Sequence, residues 1–154
     1  MHTSERGIEM IVAFEGIELT AYRCPAGIWT IGVGHTGSVD GEAIYAGMSI
    51  TREKALDILQ SDLIKIERYI GRQTFVKHLT QGQFDALVSF IFNIGIAAFQ
   101  SSTMRKILSN TNAFERAAKE FDRWVYSKVN GKKEKLSGLV KRRNTEKELF
   151  LNGK

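Results

Sequence analysis

The chain is predicted to be α+β, with a small hairpin-containing lobe (about residues 14–50), a long linking helix (about 51–72) and a larger helical lobe (about 73–154), all in one domain. Three observations lead there. A glycine-rich, β-branched and aromatic segment is confined to the first third. Apolar residues recur at three- and four-residue steps through most of the remainder. A chain of 154 residues, 43% hydrophobic and 25% charged, suits one buried core and is too short for two large independent domains. A cleft is expected where the lobes meet.

The elements follow in order. Ile8, Ile11, Val12 and Phe14 mark a short amphipathic helix that Gly16 stops, with Glu15 in its last turn. Leu19-Thr20-Ala21-Tyr22 alternates, Pro25-Ala26-Gly27 is a turn, and Ile28-Trp29-Thr30-Ile31 is strand-like, so these form a hairpin with Cys24 at the lip of its turn. Gly32, Gly34 and Gly37, interleaved with Val33, His35 and Thr36, suit a third, irregular strand. Thr51 is the expected cap of the long helix, whose apolar stripe is Leu56, Leu59, Leu63, Ile66 and Ile70. Thr80 with Gln83, and Asn112 with Glu115, read as capping boxes; the second opens a helix through Val125. Ser102 caps a short helix through Leu108, residues 129–133 form a polar loop, and Ser137 starts a last helix that Gly153 ends.

Glu15 is the first candidate for chemistry. No cation shares its helical turn, and the negative end of a helix dipole disfavours an ionised carboxylate. With burial beside Phe14 its pKa is expected to rise toward the range of a general acid. Gly32-Val33-Gly34 lacks the third glycine of a dinucleotide loop, and no helix pattern follows it, so no nucleotide is expected. His2 and His78 show no ligand spacing, and neither a metal nor any other cofactor is implied.

The ordered set Glu15, Cys24, Thr30 and Gly32-Val33-Gly34-His35 resembles the phage-type lysozymes of glycoside hydrolase family 24, endolysins that cut bacterial peptidoglycan. Met48-Ser49-Ile50-Thr51, Phe92-Asn93-Ile94-Gly95, Leu139-Val140-Lys141-Arg142-Arg143 and Glu148-Leu149-Phe150-Leu151-Asn152-Gly153 extend the likeness over nearly the whole chain. It implies a lysozyme-like fold and hydrolysis of the β-1,4 bond between N-acetylmuramic acid and N-acetylglucosamine, for host lysis. Glu15 is then the acid, with Arg142 the arginine that salt-bridges it. Asp62 pairs with His35 to tie the lobes, and Tyr22, Phe92 and Asn93 are cleft residues.

Where the family often has Asp, this chain has Cys24, and a thiol with a pKa near 8.5 is mostly neutral at pH 7. Ionised with help from Arg23, it serves as base for a water held by Thr30, or as a nucleophile. Neutral, it leaves that water to Thr30 and backbone dipoles. The resemblance favours water attack with inversion. A lytic transglycosylase, which needs one acid/base group, and a non-catalytic module binding cell wall or nucleic acid are the alternatives.

One cysteine allows no internal disulfide, no stretch approaches about 18 continuous apolar residues, and the N-terminus lacks the pattern of a secretory signal. A monomer stored in the host cytoplasm is expected, released by a holin to act on peptidoglycan in the periplasm or wall. Lys119 to Lys154 holds eleven Lys or Arg against five Asp or Glu, and residues 1 to 118 eleven against twelve, so the surplus of +5 is C-terminal and favours polyanions.

Overall fold

Helix α1 (Glu5–Glu15) forms where its apolar spacing predicts, and Ser4 Oγ accepts the Gly7 amide at 3.2 Å at its start. Gly16 ends it. At φ +75° this residue takes a left-handed turn that a Cβ would resist, while its amide still reaches Val12 O at 2.9 Å. The computed structural model describes residues 1–153 and divides into two compact units: Ile8–Lys65, and Met1–Gly7 together with Ile66–Lys154.

In the first unit β1 (Glu18–Arg23), β2 (Trp29–Gly32) and β3 (His35–Thr36) form one antiparallel sheet in that order. The register pairs Tyr22 with Thr30 and Arg23 with Trp29, then Thr30 with Thr36 and Ile31 with His35. A second hairpin, β4 (Ser38–Val39) and β5 (Glu42–Ala43), was not anticipated. Its turn is Asp40-Gly41, both at positive φ, a sequence signal for a two-residue hairpin that the apolar pattern overshadowed. Ile31, Val39, Ile44 and Met48 make the core, with Ala21, Trp29, Ile50 and Ile58 packed against it. Residues 48–50 run along β1 through Ala21 N to Met48 O and Ile50 N to Leu19 O, both 2.8 Å. Thr51 Oγ1 accepts the Lys54 amide at 3.1 Å to cap α2 (Arg52–Gly71), whose buried stripe is Ala55, Leu59, Leu63, Ile66 and Ile70.

The second unit is organised by α3 (Gln81–Ile94). The predicted capping box is present: Thr80 Oγ1 accepts the Gln83 amide at 3.2 Å, and Gln83 Oε1 accepts the Thr80 amide at 3.0 Å. Every residue from Gly82 to Ile91 is buried except Gln83, as befits a helix that is apolar nearly all round. Phe90 meets Phe99, Phe121 and Trp124 edge-on at 6.3, 5.0 and 5.7 Å, and Phe121 meets Phe150 at 5.7 Å. The following elements are α4 (Ile96–Ser101), α5 (Thr103–Thr111), α6 (Phe114–Ala118), β6 (Tyr126–Val129), β7 (Lys132–Lys135) and α7 (Ser137–Asn152).

Three expectations in this unit are corrected. Asn112 does not cap the next helix; it sits at φ +48° and ends α5, because asparagine tolerates the left-handed conformation that a helix C-terminus favours. The helix expected through Val125 stops at Ala118 and tightens into a 3-10 turn, Lys119–Arg123. The polar loop at 129–133 is the tip of the β6–β7 hairpin, with Asn130-Gly131 at φ +49° and +78°. Lysines on both sides of that dipeptide hid it from a reading based on apolar alternation. Val125 O accepts the Leu136 amide at 2.9 Å and closes the hairpin base.

Candidate active site

Glu15 lies exposed at the end of α1, three residues before β1, in the unit that also carries Cys24 and Thr30. The Cys24 turn is built from sequence-local forces. Pro25 sets φ for the first corner, Cys24 O accepts the Gly27 amide at 2.7 Å, and Gly27 at φ +77° lets Cys24 N reach Ile28 O at 3.0 Å. The half-buried Cys24 thiol is thereby surrounded by amides. The Ile28 amide lowers its pKa most, burial opposes, and the Ala26 amide, the Thr30 hydroxyl and its own amide add to the lowering. Arg23, expected to help, is engaged elsewhere: its guanidinium stacks on Trp29 at 4.8 Å and donates to Gly27 O at 3.3 Å.

Thr30 is buried, and its Oγ1 donates to Ile28 O at 3.0 Å. A hydroxyl has one proton. It serves either Ile28 O or a Cys24 thiolate, and in both cases the oxygen keeps acceptor capacity for a water. Tyr22, directly across the strand pair from Thr30, is exposed, as a contact residue requires.

His35 Nδ1 bonds Asp62 Oδ2 at 2.7 Å and Nε2 bonds Ser38 O at 2.9 Å. The predicted pair exists, but both residues fall inside Ile8–Lys65; it fastens β3 to α2 within that unit and is not a tie between lobes.

The remaining candidates lie in the second unit. Phe92 is half-buried and Asn93 exposed near the end of α3. Arg142 is buried, its Nε bonding Glu146 Oε1 at 3.0 Å and its Nη2 bonding Ser89 O at 3.1 Å. Sequence reasoning named Glu15 alone as its partner and missed these two. It also missed Arg143, which is fully buried. Arg143 donates to Glu146 Oε2, to Asn93 Oδ1 and, at 3.1 Å, to Trp124 O, and its guanidinium covers Phe90 at 4.8 Å. Burial pushes the Glu146 carboxyl up, and Arg143, Arg142 and the Ser89 hydroxyl, at 2.7 Å, pull it back. The signal was available: Glu146 follows Arg142 by four residues and Arg143 by three, the spacing at which side chains meet on a helix. Among the described residues no three His, Cys, Asp or Glu side chains converge as metal ligands.

The family described as phage lysozyme matches residues 12–146. The chain belongs to the phage lysozyme family. Like other members it is a glycoside hydrolase, a lysozyme acting on bacterial peptidoglycan. An endolysin of Acyrthosiphon pisum secondary endosymbiont phage 1 is 44% identical over 150 residues, covering 97% of this chain and 98% of that protein. A solved structure of a P22 lysozyme mutant matches with TM-score 0.86 and 40% identity over 99% of both chains. The muramidase domain of SpmX from Asticaccaulis excentricus matches with TM-score 0.85 and 39% identity, again over 99% of both. The α+β lysozyme-like fold expected from the sequence is therefore the fold of this chain.

Proposed function

We propose that the chain is an endolysin-type muramidase that hydrolyses the β-1,4 bond between N-acetylmuramic acid and N-acetylglucosamine, with Glu15 as general acid and a water as nucleophile. The observation carrying this is the Cys24 turn, which lowers the thiol's pKa through surrounding amides and sets the buried Thr30 hydroxyl beside it. Glu15 gives its proton to the leaving oxygen as the anomeric carbon–oxygen bond breaks. Water held by Thr30 adds to that carbon from the opposite face and loses a proton to the Cys24 thiolate. The products are two glycan ends, a Glu15 carboxylate and a Cys24 thiol, with the anomeric configuration inverted. Tyr22, Phe92 and Asn93 hold the glycan, and the His35–Asp62 and Arg142–Glu146 pairs keep their elements in place. The enzyme acts as a monomeric single domain, held in the host cytoplasm until a holin admits it to the wall. Co-expression with and without a holin, followed by the timing of lysis, tests the release step.

The central test is digestion of purified peptidoglycan with mass spectrometry of the soluble fragments. Reducing N-acetylmuramic acid ends are expected, and Glu15→Gln should lower their release by about two to four orders of magnitude. The thiol in place of a second carboxylate favours one competitor, a lytic transglycosylase, whose signature is 1,6-anhydro ends. Equal fragment release by Glu15→Gln would remove the carboxyl from the mechanism.

A further inference from the structure

The C-terminal basic surplus is not spread evenly over a face. Arg142 and Arg143 are buried around Glu146, Lys147 pairs with Asp122 at 2.6 Å, and Arg123 pairs with Glu120 at 3.2 Å. Four exposed lysines, Lys128, Lys132, Lys133 and Lys135, lie together on the β6–β7 hairpin. Tyr126 stands opposite Lys135 and Lys128 opposite Lys133, so strand alternation puts Lys128, Lys133, Lys135 and Tyr126 on one side of the ribbon. Ser127, Val129, Lys132 and Glu134 take the other. Among the described residues none of Lys128, Lys133 and Lys135 has a carboxylate at ion-pair distance. Like charges directly opposite destabilise a strand pair, and a two-stranded ribbon is marginal to begin with. The hairpin thus breaks a local rule on one face only.

That face adjoins a groove of about 430 Å³ whose lining includes Ser101, Thr103, Glu120, Arg123, Trp124, Tyr126 and Lys133. Glu120 already neutralises Arg123 there, so the slot at the foot of the ribbon offers Lys133, hydroxyls and two aromatic rings, which together with the lysine face fit a short extended chain bearing carboxylates. We propose that this face and groove bind the carboxylate-bearing peptides that hang from the glycan, holding the polymer while the bond is cut. The inference rests on the peptidoglycan reading above. A bilayer is a poorer fit, because the tip is Asn130-Gly131 beside a half-buried Val129 and offers nothing large and apolar to insert. Nucleic acid is poorer too. The Tyr126 ring is already covered by the Lys133 ammonium at 4.9 Å, and no row of open rings is left for bases.

The test compares Glu15→Gln with the same chain carrying Lys128→Ser, Lys133→Thr and Lys135→Thr, choices that relieve like-charge contact and suit a strand. Binding is measured by co-sedimentation with intact sacculi and with sacculi stripped of peptide charge by carbodiimide coupling of their carboxylates to ethanolamine, which leaves the cross-links in place. Circular dichroism confirms that both proteins fold. Loss of three exposed charge contacts should weaken binding to intact sacculi about tenfold and leave binding to stripped sacculi unchanged. The difference should shrink as salt is raised. Equal binding of both proteins to intact sacculi overturns the proposal and leaves the lysines as guards of the strand edges. An equal loss on stripped sacculi also overturns it, as does tighter charge-dependent binding to DNA or to anionic phospholipid vesicles. Reducing-end release by the unmodified chain is measured separately, so failure of the muramidase reading is distinguishable from failure of this one.

Discussion

Cys24 has a thiol whose ionisation is promoted by amides of its own turn, chiefly that of Ile28, against the opposing effect of burial. If the thiolate is the base, kcat/KM should climb as pH approaches a value below the ordinary thiol pKa of about 8.5. Cys24→Asp should move that rise to acid pH, because a carboxylate ionises near pH 4. The variant should then exceed the parent most clearly at about pH 6 and below, and a Cys24→Ala profile identical to the parent's would exclude the thiol. Tyr69 supplies a different residue-scale prediction. Its hydroxyl is buried without a hydrogen-bond partner among the described residues, so Tyr69→Phe should raise stability by up to about 1 kcal/mol in urea unfolding. Only the first of these residues stands out in the sequence, through its spacing from Glu15 and Thr30. An unpaired hydroxyl depends on what packs around it and leaves no pattern along the chain.

At the scale of elements, the start of α3 and the end of α7 approach so closely that both contact residues are glycine. A Cβ on Gly82 would lie 2.5 Å from Gly153 Cα, and Thr80 Oγ1 donates to Gly153 O at 2.7 Å across the same junction. Gly82→Ala gains about 1 kcal/mol of helix propensity and loses more by forcing the junction apart, about 1–3 kcal/mol. Its net effect in thermal unfolding should be destabilising. Gly138→Ala, inside α7 with open space around its Cβ, should stabilise by up to about 1 kcal/mol. Gly153 was legible as a helix stop. The role of Gly82 was not, because its sequence neighbours only say that a helix starts there. Capping showed the same division: Thr51, Thr80 and Ser102 cap their helices as read, whereas Asn112 took the left-handed position that its residue type equally allows.

Across the whole molecule, ionised side chains join segments far apart in the chain. Glu67 accepts the Thr3 amide at 2.8 Å, the Thr3 hydroxyl at 2.7 Å and His2 Nδ1 at 3.0 Å. Burial pushes its carboxyl up, and the three donors together hold it below the usual range. A depressed acid stabilises the fold at pH values above its unfolded pKa of about 4.3, and the contribution is lost as pH falls through the lower folded value. The stability gap between the parent and Glu67→Gln should therefore be constant near neutrality and close below about pH 4, as chemical unfolding across pH will show. Glu146→Gln should cost far more, about 3–5 kcal/mol, because it removes the buried carboxylate that Arg142 and Arg143 share. The sequence by itself determined the fold class, the family, the long-helix stripe from Leu59 to Ile70 and the order Glu15, Cys24, Thr30. Periodicity, caps and local turn chemistry act over a few residues and are written along the chain. Tertiary structure alone decided that Arg143 holds Asn93, that Ser89 reaches Glu146 from α3, and that Lys128, Lys133 and Lys135 collect on one face of a hairpin. Burial and long-range pairing depend on which distant segments meet, and that is settled only when the chain has packed.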